Sequence, residues 1–315
     1  MTNSEFSLAI SKATTPLPGS IAKPTNYTLT VKKRFEGLNI IDFFCEKIVR
    51  SDADLWQNKI STGNLTVNGK TITKDYQIVA GDKTLHTSDP KTEPDVNVTI
   101  ELLYNDADII VLNKPSPLPV HASGRFLRNT LISILEKAFP EEILKLVHRI
   151  DANTTGVIVI AKNKFAANHI QQQFENKSIK KEYVALVEGI VVPDFLNLEA
   201  AIGKEVLIGG ARAIDELGKI AKTEIEVLER RIETNQTLLK VIPFTGRTNQ
   251  IRLHLANLGH PIVGDLGYKD PTYFKNNPFT YPTDTLFLHA HQLEISHPIT
   301  NKKMIFKAVI PSKFS

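Results

Sequence analysis

Cysteine is almost absent from this 315-residue chain, whose single cysteine is Cys45. One thiol cannot form an internal disulfide, nor can it build a cysteine-based zinc or iron–sulfur site. The sequence also lacks an apolar run near the roughly 20 residues of a membrane span, and its first residues lack the basic and apolar regions of a signal peptide. We therefore expect a cytoplasmic protein in a reducing environment, with no contact with a membrane.

A strong charge of either sign is absent as well. The chain has 38 Lys and Arg against 34 Asp and Glu, a formal net charge of +4, and 42% of its residues are hydrophobic. This ordinary globular composition excludes extensive disorder and collagen-like repeats. At about 100–200 residues per domain, the length predicts two domains. The mild charge does not by itself indicate a nucleic-acid binder.

The first third of the chain contains three segments of different character. Residues 1–30, rich in Ser, Thr and Pro, predict an N-terminal arm on the surface. Residues 31–90 predict two short helices followed by a β-hairpin with an Asn68-Gly69 turn. Proline and acidic residues around 91–100 are typical of a linker.

Residues 101–315 predict a larger domain in which strands and helices do not alternate strictly. This order favours an α+β fold with a mixed or antiparallel sheet over a doubly wound nucleotide-binding fold. Strands are expected near 109–112, 157–161, 182–189, 222–228, 237–243, 286–288 and 304–309, and helices near 129–139, 164–177 and 248–258.

A cluster of polar residues precedes the most apolar of these strands. His148, Arg149 and Asp151 come shortly before Gly156 and the strand over 157–161. A carboxylate where a loop enters a core strand is usually held by hydrogen bonds, so Asp151 is a candidate nucleophile or base. The alternative is that Asp151 caps a turn or pairs with Arg149 for structure alone, which is the commoner role at such places.

Two further segments carry candidate residues. Tyr183 lies in a strand whose alternate positions look buried, where its ring offers a flat face for stacking; a core tyrosine is the alternative. Arg247 lies in a turn and Arg252 lies one turn into the helix that follows. Two guanidinium groups near a carboxylate would favour its ionised form and could bind phosphates. The alternative is that both arginines are surface residues.

The histidines do not predict a metal site. His254, His260, His289 and His291 lack a second ligand pair at metal-binding spacing. We therefore expect histidines of the core and of turns, and no bound metal. A metal-dependent nuclease or phosphatase using Asp151, Asp265 and histidines remains an alternative, and it would lose activity on chelation.

Several segments closely resemble, in sequence and in order, the motifs of the RluA-type pseudouridine synthases. They are HRIDANTTGVIVIAKN (148–163), KKEYVALVEG (180–189) and GRTNQIRLHLANLGHPIVGD (246–265), with NKPSPLPVH (113–121) upstream and LFLHAHQL (286–293) downstream. The resemblance covers residues 100–312 and implies a pseudouridine synthase catalytic domain. It implies isomerisation of a uridine within tRNA or rRNA, without a metal or an organic cofactor.

The resemblance also implies roles for individual residues. Asp151 matches the essential aspartate of the family, which attacks either the sugar or the base. Tyr183 matches the tyrosine that stacks on the target base, and Arg252 the arginine that pairs with the catalytic carboxylate. Arg149 matches the residue that fills the gap left by the flipped base. Extruding a base costs roughly a few kcal/mol, and stacking returns about 1–3 kcal/mol per base.

Other residues of the same motifs are expected to contact RNA or to modify the cleft. The expected RNA contacts, besides Arg149, are His148, Thr155, Lys180, Lys181 and Arg247. Asn249 stands where the family usually has histidine, and we expect it to affect the cleft without touching the catalytic roles. The segment over 119–131 resembles a branch that includes tRNA-modifying members.

The N-terminal module resembles the small RNA-binding domain of ribosomal protein S-four. The matching part is VNGK followed by VAGDK, within residues 62–83. Ten basic and ten acidic residues lie across 31–100, so this part has no net charge. Either a local basic face binds RNA or the module has a structural role. That face would consist of Lys32, Lys33, Arg34, Lys70 and Lys74.

We expect RNA as the substrate, no obligate protein partner and a monomeric chain. One alternative from another functional class is an RNA chaperone that keeps the synthase scaffold but has lost catalysis. That alternative predicts a broken catalytic set, whereas this sequence retains Asp151, Tyr183 and Arg252.

Overall fold

The computed structural model describes the whole chain except residues 49–50, 206, 208–209, 271 and 274–284. The described residues form two compact units. The larger unit combines Met1–Gly19 with Pro94–Ser315, and the smaller unit is Ser20–Glu93. Within the described ranges, no helix is both long enough and apolar enough to cross a membrane.

The chain begins with a helix, where the sequence analysis expects a surface arm over residues 1–30. Helix α1 (Asn3–Thr14) has Phe6 and Ile10 buried in the core of the larger unit, and the Phe6 ring stacks on Phe139 at 5.6 Å. Phe6 and Ile10 are four residues apart and so lie on the same face of the helix. The expected arm is therefore corrected: its first half is a packed helix of the larger unit.

The smaller unit is a four-stranded antiparallel sheet with two helices. The two helices and the hairpin agree with the prediction for residues 31–90, whereas the two further strands are not predicted, and β1 lies before residue 31. The Asn68-Gly69 turn is present, with φ of 51° and 75°. The Phe44 and Trp56 rings stack at 4.3 Å in its core. The strands lie in the order β1-β4-β2-β3. The elements are β1 (Asn26–Thr30), α2 (Ile40–Lys47), α3 (Ala53–Ser61), β2 (Leu65–Val67), β3 (Lys70–Thr71) and β4 (Lys83–Thr87).

The larger unit contains a mixed ten-stranded sheet, which confirms the expected α+β class. Its path is β10-β11-β12-β9-β13-β8-β6-β5, with β14 on β13 and β7 on β8. Only the β13–β8 pair is parallel among the described pairings. The elements are β5 (Glu101–Asn105), β6 (Ile109–Lys114), α4 (Leu131–Ala138), β7 (Lys145–Leu146), β8 (Thr155–Ala161), α5 (Lys164–Glu175), β9 (Lys180–Glu188), β10 (Phe195–Ile202), β11 (Lys219–Arg231), β12 (Gln236–Pro243), α6 (Gln250–Asn257), α7 (Leu266–Lys269), β13 (Leu288–Ser296) and β14 (Lys303–Lys307).

Strand β8 is buried along its whole length because both faces of the sheet are covered there. Ile158 and Ile160 pack into the core that includes α1 and α4, whereas Val157 and Val159 pack into the core that includes α5. A strand covered on both sides appears in sequence as a continuous apolar run. Gly156 of β8 and Tyr183 of β9 both lie opposite Ala290 of β13, which brings the loop before β8 close to the first residues of β9.

Strand β8 approaches β13 very closely at its beginning. Gly156 lies opposite Ala290 in the parallel pair and has a φ of 113°. A Cβ atom at this position would overlap the backbone carbonyl of Ala290. Gly156 therefore allows the loop before β8 to lie against the centre of the sheet.

We expect Gly156→Ala to lower the free energy of unfolding by about 3 kcal/mol or more, because the new Cβ meets both left-handed backbone strain and backbone atoms. Gly259→Ala is the matched control: Gly259 has a φ of 89°, and a Cβ there meets nothing within 4 Å. That variant should lose only about 1–2 kcal/mol. Urea unfolding measures both, and equal losses would contradict the close approach.

Candidate active site

A cleft of about 460 Å³ opens in the larger unit, a size typical of ligand sites. Three polar segments meet there: the loop before β8, the beginning of β9, and the connection from β12 into α6. Most of the sequence-predicted site residues line it, namely His148, Arg149, Asp151, Lys181, Tyr183, Arg247 and Arg252.

Arg252 on α6 lies between two carboxylates. Its Nε and Nη2 donate to the two oxygens of Asp265 at 2.6 and 2.8 Å. Its Nη1 lies 3.4 Å from Oδ2 of Asp151 and 3.3 Å from Oδ1 of Asn249. Burial alone would lower the pKa of the Arg252 guanidinium, but the hydrogen bonds and the charges of Asp265 and Asp151 raise it above its ordinary value. The arginine is therefore a permanent cation in the wall of the cleft.

Asp265 is the main partner of Arg252. The sequence does not predict this ion pair and suggests Asp265 only as a metal ligand. Asp265 is buried at the start of α7, thirteen residues beyond Arg252. The spacing is not that of one helix face, so no local pattern predicts the pair.

Asp151 lies at the accessible side of this arrangement. Its side chain is 37% exposed, whereas that of Asp265 is 1% exposed. The loop that carries Asp151 is held from below by the buried Lys114, whose Nζ donates to the carbonyls of Pro115, Leu118 and Ala152 at 2.8–3.0 Å. Asp151 is thus a carboxylate on an anchored loop, open to the cleft and facing one cation.

Tyr183 on β9 forms part of the cleft wall and packs against two hydrophobic cores. Burial, followed by the charge of Asp151, raises the pKa of its phenol. The side chain therefore remains a neutral phenol at physiological pH. Tyr183 and Asp151 line the same cleft.

Further cationic side chains line the cleft. Lys181 donates from Nζ to the Thr245 carbonyl at 2.9 Å, and burial lowers the pKa of its ammonium to about 8. The Nε of Arg247 is buried without a hydrogen-bond partner among the described residues. Arg149 is exposed at the mouth, where its two Nη atoms lie 3.3 Å from His121 Nε2 and Thr248 Oγ1. The cleft therefore combines the carboxylate of Asp151 beside Arg252 with several donors for an anionic ligand, and the exposed Glu175 at the end of α5 also lines it.

Three residues that the sequence predicts to contact RNA differ from the others: His148 lines the cleft but is engaged by the sheet, and Thr155 and Lys180 do not line the cleft. His148 accepts the Val159 backbone N–H at Nε2, and burial lowers its pKa to about 3, so it is a neutral structural group. Thr155 is buried and its hydroxyl lies 2.8 Å from His289 Nδ1. Lys180 is exposed but does not line the cleft, because neighbouring strand residues point to opposite faces.

One group of side chains among the described residues has the spacing of a metal site, and it lies outside the cleft. Asp106, Asp108 and His297 bring their ligand atoms within 4.8 Å of one another. However, Asp106 already accepts backbone N–H groups of Asp108 and Ile109 and hydrogen bonds from Tyr104 and His297. We interpret the group as a structural hydrogen-bond network.

Comparison with known proteins gives consistent similarities. Residues 108–257 match the family model of RNA pseudouridylate synthases. The chain is 33% identical over 310 residues to ribosomal large subunit pseudouridine synthase C of Buchnera aphidicola, covering 92% of this chain and 96% of that protein. It is 35% identical to the Vibrio vulnificus protein of the same name, covering 79% and 82%. The solved structure of human RNA pseudouridylate synthase domain containing 1 has a TM-score of 0.55 and 27% identity, covering 72% of this chain and 88% of that one.

We expect Asp265→Asn to lower the free energy of unfolding by about 3–5 kcal/mol, because the buried guanidinium then loses its principal counter-charge. Asp194→Asn is the matched control, since Asp194 pairs with Arg230 at 2.6 Å but is 70% exposed. A surface pair contributes about 1 kcal/mol or less. Chemical denaturation distinguishes the two variants, and similar losses would contradict the role assigned to the buried pair.

Proposed function

Because the chain belongs to the RNA pseudouridylate synthase family, we propose that it converts uridines of large-subunit ribosomal RNA to pseudouridine without a cofactor. The activity of the family makes it an isomerase that acts on RNA. The choice of ribosomal RNA is supported by the relatives named for the large ribosomal subunit. The observation that carries the catalytic part is the accessible carboxylate of Asp151 beside the buried cation of Arg252.

The reaction needs no external electrons or atoms, since uridine and pseudouridine are isomers. The N1–C1′ bond breaks, the uracil turns, a C5–C1′ bond forms, and the proton on C5 is replaced by one on N1. In the proposal Asp151 attacks as a nucleophile, either at the sugar or at the base, and the bond that its oxygen forms breaks again before the product leaves, so that the carboxylate is regenerated. Arg252 contacts Oδ2 and so leaves Oδ1 of Asp151 as the attacking oxygen. Its fixed charge stabilises the carboxylate without movement of the site.

The base must leave the RNA stack before its glycosidic bond can be reached. We assign Tyr183 as the platform for the extruded uracil, because its neutral ring is part of the cleft wall beside Asp151. Arg149 is assigned to the gap in the RNA, because it is exposed at the mouth and held there by His121 and Thr248. These two groups would offset part of the cost of extrusion.

Lys181 and Arg247 are proposed to bind the phosphates that flank the target uridine. Both line the cleft, and the buried Nε of Arg247 has an unused donor among the described groups. Arginine and lysine contacts to phosphate position an RNA without reading its sequence. Sequence choice would then come from RNA shape and from contacts outside the cleft.

The smaller unit is proposed as an S-four-like RNA-binding module over residues 31–90, and the catalytic domain as residues 101–315. Five basic residues are expected to form the RNA-binding face of the N-terminal module, and all five are exposed: Lys32, Lys33, Arg34, Lys70 and Lys74. A structural role is the other interpretation. Removing these charges together should weaken RNA binding only if the module binds RNA.

The function is tested by mapping pseudouridines in cells that lack the gene and in cells complemented with the wild type or with Asp151→Asn. We expect one or more positions of large-subunit ribosomal RNA to lose pseudouridine, and only the wild type to restore them, because the amide is a far weaker nucleophile than the carboxylate. Equal thermal stability of the two purified proteins is the folding control.

Two results would contradict the proposal. Restoration by Asp151→Asn would exclude this residue as the nucleophile. A change confined to transfer RNA would exclude the ribosomal substrate while leaving the synthase activity in place.

The lowered pKa of Lys181 predicts a pH dependence of RNA binding. The ammonium is charged below its pKa of about 8 and loses that charge above it. If phosphate binds only the charged form, the affinity should fall by up to about tenfold between pH 7 and pH 9. Lys181→Arg should remove this fall, because arginine stays charged over the range. Lys180→Arg is the control and should leave it unchanged; an identical fall in all three proteins would contradict the assignment.

A further inference from the structure

Asn249 connects the Arg252 side chain to a neighbouring segment of the chain. It precedes α6 with left-handed backbone angles, φ 57° and ψ 19°, yet its side chain makes no capping hydrogen bond to that helix. Instead Oδ1 accepts from Nη1 of Arg252 at 3.3 Å, and Nδ2 donates to the carbonyl of Gly210 at 3.2 Å. The amide thus uses both ends, one toward the site and one toward the β10–β11 connection.

The contact to Arg252 falls on the nitrogen that faces Asp151. Nε and Nη2 donate to Asp265, so these hydrogen bonds fix one edge of the guanidinium. The opposite nitrogen, Nη1, is shared between Asp151 and Asn249. Since a guanidinium is planar, a fixed acceptor at Nη1 sets the angle at which the plane meets Asp151.

A second neighbour of Arg252 holds the same part of the β10–β11 connection. The ring of Tyr268 lies 5.0 Å from Cζ of Arg252. Its hydroxyl accepts the Arg212 backbone N–H at 2.8 Å and donates to the Arg212 carbonyl at 3.2 Å. The backbone at Gly210 and Arg212 is therefore connected to Arg252 through the side chains of Asn249 and Tyr268, which also interact with each other.

We propose that Asn249 is a positioning residue: it orients Arg252 toward Asp151 and holds the backbone at Gly210 beside the site. The inference rests on the proposed function, because it concerns the rate of that isomerisation. It corrects the expectation that Asn249 touches none of the catalytic groups. Its two ends predict two separable effects, one on the chemical step and one on the order of the β10–β11 connection.

Asn249→Gly tests the first effect. Glycine adopts left-handed angles without strain, so this variant removes only the amide. Asn301→Gly is the matched control, since Asn301 has a φ of 54° in an exposed turn. With enzyme in excess over an unmodified large-subunit ribosomal RNA transcript, we expect the single-turnover rate of Asn249→Gly to fall about tenfold. The RNA dissociation constant should stay within twofold of the wild type, because Arg252 acts on the carboxylate rather than on RNA affinity.

Asn249→Asp distinguishes the contact of residue 249 with Arg252 from its contact with Gly210. It keeps an acceptor oxygen for Arg252 and removes the donor to Gly210. We expect its single-turnover rate to exceed that of the glycine variant at least threefold. Trypsin cleavage after Arg212 should be accelerated at least threefold in both Asn249 variants, and not in Asn301→Gly, because cleavage requires local opening of the backbone.

The outcomes are distinct. A wild type that makes no pseudouridine in any RNA contradicts the proposed function. An active wild type together with an Asn249→Gly protein as fast as Asn301→Gly overturns this inference alone. A fall in rate that follows an equal loss of RNA affinity overturns it too, because Asn249 would then be an RNA contact.

Discussion

The buried charge of Arg252 is the constraint on which the site depends. A guanidinium in the wall of a protein core is costly unless its charge and its N–H groups are matched. Asp265 accepts two hydrogen bonds from Arg252 at a buried position, and Asp151 makes a longer ionic contact with Arg252 from the cleft. The close contact with Asp265 stabilises the buried charge, and in the proposed function the longer contact leaves Asp151 free to react. The two carboxylates beside Arg252 therefore differ in exposure, 1% for Asp265 and 37% for Asp151.

The surroundings keep the other titratable groups in forms that do not compete with this pair. Burial lowers the pKa of His148 and raises that of Tyr183, so both are neutral at physiological pH. The cleft that contains Asp151 is thus lined by neutral rings and by the cations of Lys181, Arg247 and Arg252. Cations in a cleft raise the local concentration of an anionic ligand. The modest net charge of the chain does not reflect it, because the relevant charges are a local set.

Sequence reasoning predicted what local patterns encode. The strand expected over 157–161 and the helix expected over 248–258 correspond to β8 and α6. The density of polar residues made Asp151 and Arg252 candidates, and the resemblance to the family supplied their expected roles. Sequence reasoning failed where the answer depends on distant contacts. The Asp265 pair and the carbonyl contacts of Lys114 join residues with no periodic relation, and His148 and Thr155 look like site residues because they adjoin Asp151 in sequence. Their side chains instead form hydrogen bonds with residues of the sheet, His148 with Val159 and Thr155 with His289.

Lys114 has a consequence of a different kind. A buried ammonium that collects three carbonyl oxygens resembles, in its coordination, a bound monovalent metal ion. Because this cation is part of the polypeptide, it cannot dissociate, and its local concentration does not depend on the surrounding medium. The carbonyl groups that converge beside the Asp151 loop are therefore satisfied without a bound metal ion.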